Sequence, residues 1–293
     1  MKVTLFHRLI PSFIRVPLAI LFRKLGISTT IQTALCISSA NRRRNAFKPT
    51  KTDHSDSKVL IVCAHYNHLN YLPSCIDSLI AQTHPNWHLV IADDLSSDPS
   101  TPSTLASLAS NDQRITVICL SENSGAYIAR NTALEAAPSD WTHITFIDPD
   151  DEATPHFLEH SLDVLGNLEG SVRPVLERWN EDFTKMKSMF VGHCPTLHSR
   201  LAWERAGGFL PVRVSGDSEL TSRLHHLSKD GTTHLLSAHK TAQRCRLLPG
   251  SASHQFLHER KIWLESHSAA HAKMSTTELR VDPVTAPWQN CNQ

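Results

Sequence analysis

The chain has 293 residues, 40% hydrophobic and 19% charged, which excludes a disordered polymer and leaves room for one large core or two small ones. The formal net charge of +1 hides a division, because no Asp or Glu precedes Asp53 while ten Lys and Arg do, leaving an acidic body with 19 basic against 28 acidic residues. Seven cysteines, scattered and odd in number, contain no closely spaced metal-type pair and fit a reducing compartment best.

Residues 1–40 form a basic amphipathic arm. Leu5, Leu9, Ile10, Phe13, Ile14, Leu18, Leu21, Phe22 and Leu25 recur at helical spacing, with Arg8, Ser12, Arg15 and Arg23 on the opposite stripe. Regularly placed arginines argue against a spanning helix, and Pro11 and Pro17 divide the pattern into two short pieces. With Arg42, Arg43 and Arg44 the arm is suited to an anionic membrane surface, which places the protein in the cytoplasm, peripheral at the membrane face. A helix docked on the body and an organelle transit peptide are the alternatives. Nucleic acid is not an expected partner, since the acidic body repels phosphates.

Residues 41–57 are polar and read as a linker. Strands and helices then alternate: a strand over Val59 to Ala64, a helix over Leu69 to Gln82, a strand over Trp87 to Ala92 and a helix over Pro102 to Ser110. A strand over Ile115 to Leu120, a helix over Ala126 to Ala137 and a strand over Ile144 to Ile147 follow. This βα rhythm predicts an α/β fold with a mostly parallel sheet flanked by helices.

The strand ends carry the chemistry. Ala64-His65-Tyr66-Asn67, Asp93-Asp94-Leu95-Ser96 and Asp148-Pro149-Asp150-Asp151 fall on one rim, and Glu122-Asn123-Ser124-Gly125 opens a helix bearing Arg130 and Asn131. Three carboxylates within four positions repel one another, so either a divalent cation neutralises them or Asp148 caps the next helix with Asp150 and Asp151 in its first turn. Singly the other groups are weak signals, Asp93 and Asp94 a turn, Tyr66 a rim aromatic, Arg130 a surface charge. Together they suit a nucleotide diphosphate.

These motifs resemble the donor half of the family 2 glycosyltransferases. Tyr66-Asn67, Gln82-Thr83, Asp93-Asp94-Leu95-Ser96, Asn123-Ser124-Gly125 with Ala129-Arg130-Asn131, and the Asp148 cluster occur in that family's order over residues 58 to about 160. The resemblance implies a GT-A fold, the Rossmann-like architecture of nucleotide-diphospho-sugar transferases, over residues 58–275, with a donor half at 58–160 and an acceptor half at 161–275. It further implies that Asp93 or Asp94 holds the base, that Tyr66 packs near it with Asn67, Asn123 and Gly125 close by, and that Arg130 lies toward the diphosphate. Asp148 with Asp150 would bind ribose and a Mn²⁺ or Mg²⁺ ion. Asp151 is a weaker ligand candidate and an alternative helix cap.

In the second half, Gly207-Gly208-Phe209 followed by Ser215-Gly216-Asp217-Ser218-Glu219-Leu220 and Arg223 resembles the same family's Gly-Gly-Phe and acidic-pair segment, with Gly216 where Glu is usual. By that resemblance Asp217 is the catalytic base, and Glu219 either orients substrate or competes for the role. A pair of helix N-terminal acids is the alternative. His254 with His258, and His267 with His271, have i,i+4 spacing but no second ligand group, which disfavours a zinc site. Arg244, Arg246 and Ser251 occupy the region of a basic strand and a lid over the donor phosphates. Residues 276–293 read as a loose tail.

The expected activity is inverting sugar transfer from a nucleotide-diphosphate donor to a glycan or lipid-linked acceptor. A nucleotidyltransferase of related architecture and a catalytically idle nucleotide-sugar-binding module are the alternatives. The loop Ala64-His65-Tyr66-Asn67-His68 lacks the Gly-rich phosphate loop of the first, and the retained acidic residues argue against the second.

Overall fold

A computed structural model describes residues 53–249 and 257–291, so the basic arm, Ser251 and His254 lie outside the described residues. The apolar run Val59–His65 forms β1, buried along its whole length, because its β-branched side chains favour extended backbone and both sheet faces are covered. It is followed by α1 (Leu72–Ile80), β2 (Trp87–Asp93), α2 (Thr101–Asn111), β3 (Ile115–Leu120), α3 (Ala126–Ala133) and β4 (His143–Ile147). The expected strands and helices are present, but two helices are shorter than their patterns. Leu69 and Gln82 lie outside α1, and α3 gives way to a 3₁₀ turn over Leu134–Ala136.

β1 pairs in parallel with β2 on one side and β4 on the other, and β3 lies beyond β2. The chain thus winds outward from β1 to β3 and returns across β1 to β4. Such a reversal leaves a crevice at the carboxyl ends of the two central strands, where α/β sheets bind ligands. Side-chain alternation divides β1 between two cores: Val59, Ile61 and Cys63 pack with Leu72, Leu105 and Phe157, while Leu60, Val62 and Ala64 pack with Tyr127, Trp203 and Phe209.

The second half extends the same sheet. It contributes β5 (Glu152–Ala153), α4 (Phe157–Leu165), β6 (Gly170–Trp179), β7 (Met186–Val191), β8 (Leu197–Ser199) and α5 (Arg200–Ala206). After these come α6 (Gly216–Leu227), β9 (His234–Arg246), α7 (Leu257–His271) and β10 (Trp288–Asn290). The sheet order is β10-β3-β2-β1-β4-β8-β6-β9-β5, with β7 paired to β6. β8 runs antiparallel to β4, which joins the acceptor half to the donor half within one layer.

The C-terminal segment corrects the reading of a loose tail. Leu279 and Ala286 are buried, Val281 N–H donates to Ala206 O, and Ala286 N–H donates to the Thr132 hydroxyl. β10 closes the sheet edge antiparallel to β3, and Cys291 forms a disulfide with Cys119, Cα atoms 5.2 Å apart. Pro283 and Pro287 marked an end to helix but not an end to packing. Nor did the scattered cysteines foretell a pair 172 residues apart.

Candidate active site

The Asp148 cluster occupies the turn between β4 and β5. α4 begins only at Phe157, with His156 at its N-cap, so none of the three carboxylates caps that helix. Asp148 is half-exposed and accepts from Arg130 Nη2 at 2.5 Å. Asp151 turns inward instead. It is buried, accepts from Arg246 N at 2.9 Å and from the Gln243 amide, and ties the turn to β9, which removes it as a ligand or helix cap.

Asp150 lies between these two. Burial, and after it the charge of Asp148, pushes its carboxyl up to about 7, with Arg246 opposing. His68 Nδ1 stands 3.8 Å from Asp150 Oδ1, an ion-pair distance, and it is buried with no hydrogen-bond partner among the described residues. A carboxyl on Asp150 raised by burial and by the charge of Asp148, beside an orphaned imidazole nitrogen, fits a divalent cation. Among the described residues no three such side chains form a ready-made cage.

The base end is held by hydrogen bonds. His65 Nδ1 contacts Asp93 Oδ1 at 2.8 Å, and Asp93 also accepts from the Ser96 hydroxyl at 2.6 Å and from Ser96 N at 3.1 Å. Asp94 accepts from Ser124 N at 2.7 Å and Gly125 N at 2.8 Å, placing its charge at the positive end of α3. Burial raises the Asp94 carboxyl, and these two N–H groups pull it back. Asp94 thus anchors the α3 entry loop, and Asp93, equally buried, is tied to His65 and Ser96, so both remain the base candidates. Asn123 joins this loop to the second half, donating to Asp94 O at 2.9 Å and accepting from Arg213 Nη1 at 2.9 Å. Asn67 accepts from Ser97 N at 2.8 Å and links the loops after β1 and β2. Tyr66 is 46% exposed beside them, a ring open to stacking.

α3 connects the donor side to the acceptor side. The buried Arg130 guanidinium reaches Asp148 while lying 5.4 Å from the Tyr127 ring centre and 5.7 Å from Phe146 and Phe209. Tyr127 donates to Asp217 Oδ1 at 3.0 Å, so one turn of α3 touches the carboxylates of both halves. Asn131 takes the structural part of the motif, bonding Phe209 N at 3.0 Å and Phe209 O at 2.9 Å.

Asp217 lies half-buried in the first turn of α6. Glu219 does not join it, and the expectation that it touches substrate is corrected. Its side chain is 0% exposed and is held by Arg223 Nε at 2.6 Å and His271 Nε2 at 3.2 Å. Arg223 in turn donates to Ala206 O at 2.5 Å and Gly208 O at 2.6 Å. Helical spacing explains the division: two residues apart, Asp217 and Glu219 point to opposite sides of α6. His271 is occupied by Glu219 and Ser222, and His267 bonds the Trp263 carbonyl, so neither faces a shared metal position. Arg244 and Arg246 pair with Glu152, and Arg246 remains close enough to Asp150 to oppose its protonation.

Residues 60–190 match the family model for glycosyl transferase family 2. That stretch, somewhat under half of the chain, is similar to the family 2 glycosyltransferases. A Bacillus subtilis (strain 168) glycosyltransferase, TuaG, named for teichuronic acid biosynthesis, is 37% identical over 107 residues, covering 36% of this chain and 41% of its own. The Escherichia coli UDP-Glc:alpha-D-GlcNAc-diphosphoundecaprenol beta-1,3-glucosyltransferase WfgD is 34% identical over 110 residues, 38% of this chain and 42% of its own. The match thus spans less than half of either relative. The mannosyltransferase PcManGT of Pyrobaculum calidifontis, solved with GDP-Man and Mn²⁺, superposes with a TM-score of 0.58 at 18% identity over 85% of this chain and 75% of its own. The likeness places the matched segment within a GT-A fold.

Among the functional candidates, sequence reading missed Tyr127 and His68. Tyr127 fills an unspecified position of the Asn-x-Gly-x-x-x-Ala-Arg-Asn motif, and its partner lies 90 residues away. His68 showed no signal beyond its place directly after Tyr66-Asn67.

Proposed function

We propose that the chain transfers a sugar, with inversion, from a nucleotide-diphosphate donor to a glycan or lipid-linked acceptor. The observation that carries this reading is the link through α3: Arg130 bonds Asp148 on the donor side while Tyr127 bonds Asp217 on the acceptor side. Two chemistries that sugar transfer needs at one carbon are therefore held a helical turn apart. The names of WfgD and PcManGT support the substrate classes, a nucleotide-sugar donor in both and a lipid-linked diphosphate acceptor in the first.

In this mechanism Tyr66 stacks on the base and Asp93 or Asp94 accepts from its N–H, with Asn67, Asn123 and Gly125 shaping the surrounding loops. Asp148 and Asp150 would hold a divalent cation, and Arg130 adds a fixed positive charge beside them. The cation, when bound, stabilises charge on the departing diphosphate. Asp217 takes the proton of the acceptor hydroxyl as its oxygen forms the new bond to the anomeric carbon. The bond to the diphosphate breaks on the opposite face, and its electron pair leaves with the nucleotide. Attack from the face opposite the leaving group inverts the anomeric centre.

The test is calorimetric titration of the full chain with UDP, GDP, dTDP and CDP, in Mn²⁺ and then in EDTA, repeated on Asp150→Ala. One nucleotide is expected to bind only with metal, and that binding is expected to disappear in the variant. A folded protein that binds no nucleotide in Mn²⁺ would overturn the proposal.

A further inference from the structure

Gly216 directly precedes Asp217 and has no room for a side chain. A Cβ built there would lie 2.9 Å from three carbons of the Tyr127 ring, closer than real Cβ contacts come. The ring cannot retreat cheaply, since it packs tilted against Phe209 at 5.1 Å between centroids, is 8% exposed, and bears Arg130 alongside. Its hydroxyl ends on Asp217 Oδ1, and among the described residues Asp217 Oδ2 has no hydrogen-bond partner. Burial, reinforced by the charge of Asp217, raises the Tyr127 hydroxyl well above the ordinary tyrosine value, so it keeps its proton and remains a donor.

We propose that Tyr127 is a positioning residue for Asp217, fixing Oδ1 so that Oδ2 faces the acceptor hydroxyl, and that position 216 is glycine because the tyrosine ring fills the space there. The pattern that this segment resembles places an acidic side chain before the Asp. Here an aromatic hydroxyl arriving from the donor half orients the carboxylate instead, coupling the base to the helix that carries Arg130. The inference rests on the reading of Asp217 as the base. No bond is made or broken at Tyr127, whose proton stays on its own oxygen.

Tyr127→Phe keeps the ring and removes one hydroxyl. In the full chain, with release of nucleoside diphosphate from UDP-N-acetylglucosamine, UDP-glucose and GDP-mannose as the readout, kcat should fall about tenfold while donor KM is unchanged. Gly216→Ala should lower both Tm and kcat, and adding Tyr127→Leu should restore Tm but not kcat, separating the space at 216 from the role of the hydroxyl. Crystal structures give a readout that needs no turnover: Asp217 in one rotamer in the parent and in several in Tyr127→Phe. Parental kcat in Tyr127→Phe, or an unchanged single rotamer, would overturn the inference. Asp217→Asn with undiminished turnover would instead remove the base reading beneath it while leaving the donor site standing.

Discussion

Asp150 carries the pH signature of the donor site. Burial and the neighbouring Asp148 push its carboxyl up to about 7 in the folded chain, against 3.8 for an isolated aspartate. Between those values the folded state holds a proton that the unfolded state has released, so stability falls as pH rises through the window. Above it both states are ionised and the full repulsion is present unless a cation offsets it. The metal-free protein is therefore expected to lose Tm between about pH 4 and about pH 7, and Asp150→Asn should lessen that slope, with the buried Asp151, also raised, contributing the rest. Mn²⁺ should raise Tm more at the higher pH, since the ion competes with the proton for the same oxygens. A thermal-shift series across pH on both proteins checks this, and equal slopes would rule out Asp150 as the source. The position of Asp148 and Asp150 was legible in the sequence because the apolar run of β4 ends there in crowded acid, while their role as ligands is a proposal. Glu219 was misread for a different reason: a carboxylate that binds a buried arginine has the same letter as one that faces a substrate.

At the scale of elements, the C-terminal segment acts as a strap over the helix that carries the site. Between Val281 and Cys291 it bonds Ala206, Asn131, Thr132, Ser121 and Glu135 in turn before the disulfide to Cys119. Gly207 records how closely it passes, because a Cβ there would stand 1.8 Å from Val281 O and the residue has φ +80°. The Gly-Gly-Phe motif is thus a docking point for the strap as well as a turn. Its sequence did not show this, because a strap makes its bonds through backbone carbonyls and N–H groups that every residue shares. The bonds of Asn131 and Arg223 to the same turn were hidden likewise, although both residues lay within recognised motifs. Cys291→Ser is expected to cost the oxidised protein roughly 2–5 kcal/mol of unfolding free energy, the usual contribution of a bridge closing a long loop. Urea unfolding with and without dithiothreitol measures it, and reductant should bring the parent to the variant's midpoint. A parent midpoint already equal to the variant's under oxidising conditions would show that the two thiols are not joined.

For the whole molecule, the charge pattern of the sequence divides an acid-free basic arm from an acidic body. The donor half was readable because its strands are continuous apolar runs whose polar ends fall in the order of the rim. The acceptor half was less so, since β6, β7 and β9 mix polar and apolar residues and are partly exposed. No helix among the described residues is long and apolar enough to cross a membrane. The basic arm, which lies outside the described residues, is the proposed means of holding the chain at a lipid surface that would also carry the proposed lipid-linked acceptor. Each basic residue near an anionic surface contributes about 1 kcal/mol, so Arg42→Gln, Arg43→Gln and Arg44→Gln together should weaken binding by about 3 kcal/mol, or roughly a hundredfold. Vesicle sedimentation with phosphatidylglycerol against phosphatidylcholine, at low and at high salt, reads that difference. Binding should need the anionic lipid, fall with salt and drop in the triple variant, while nucleotide titration of the same preparation stays unchanged. Equal sedimentation of parent and variant with phosphatidylglycerol would assign the arm a role other than electrostatic docking.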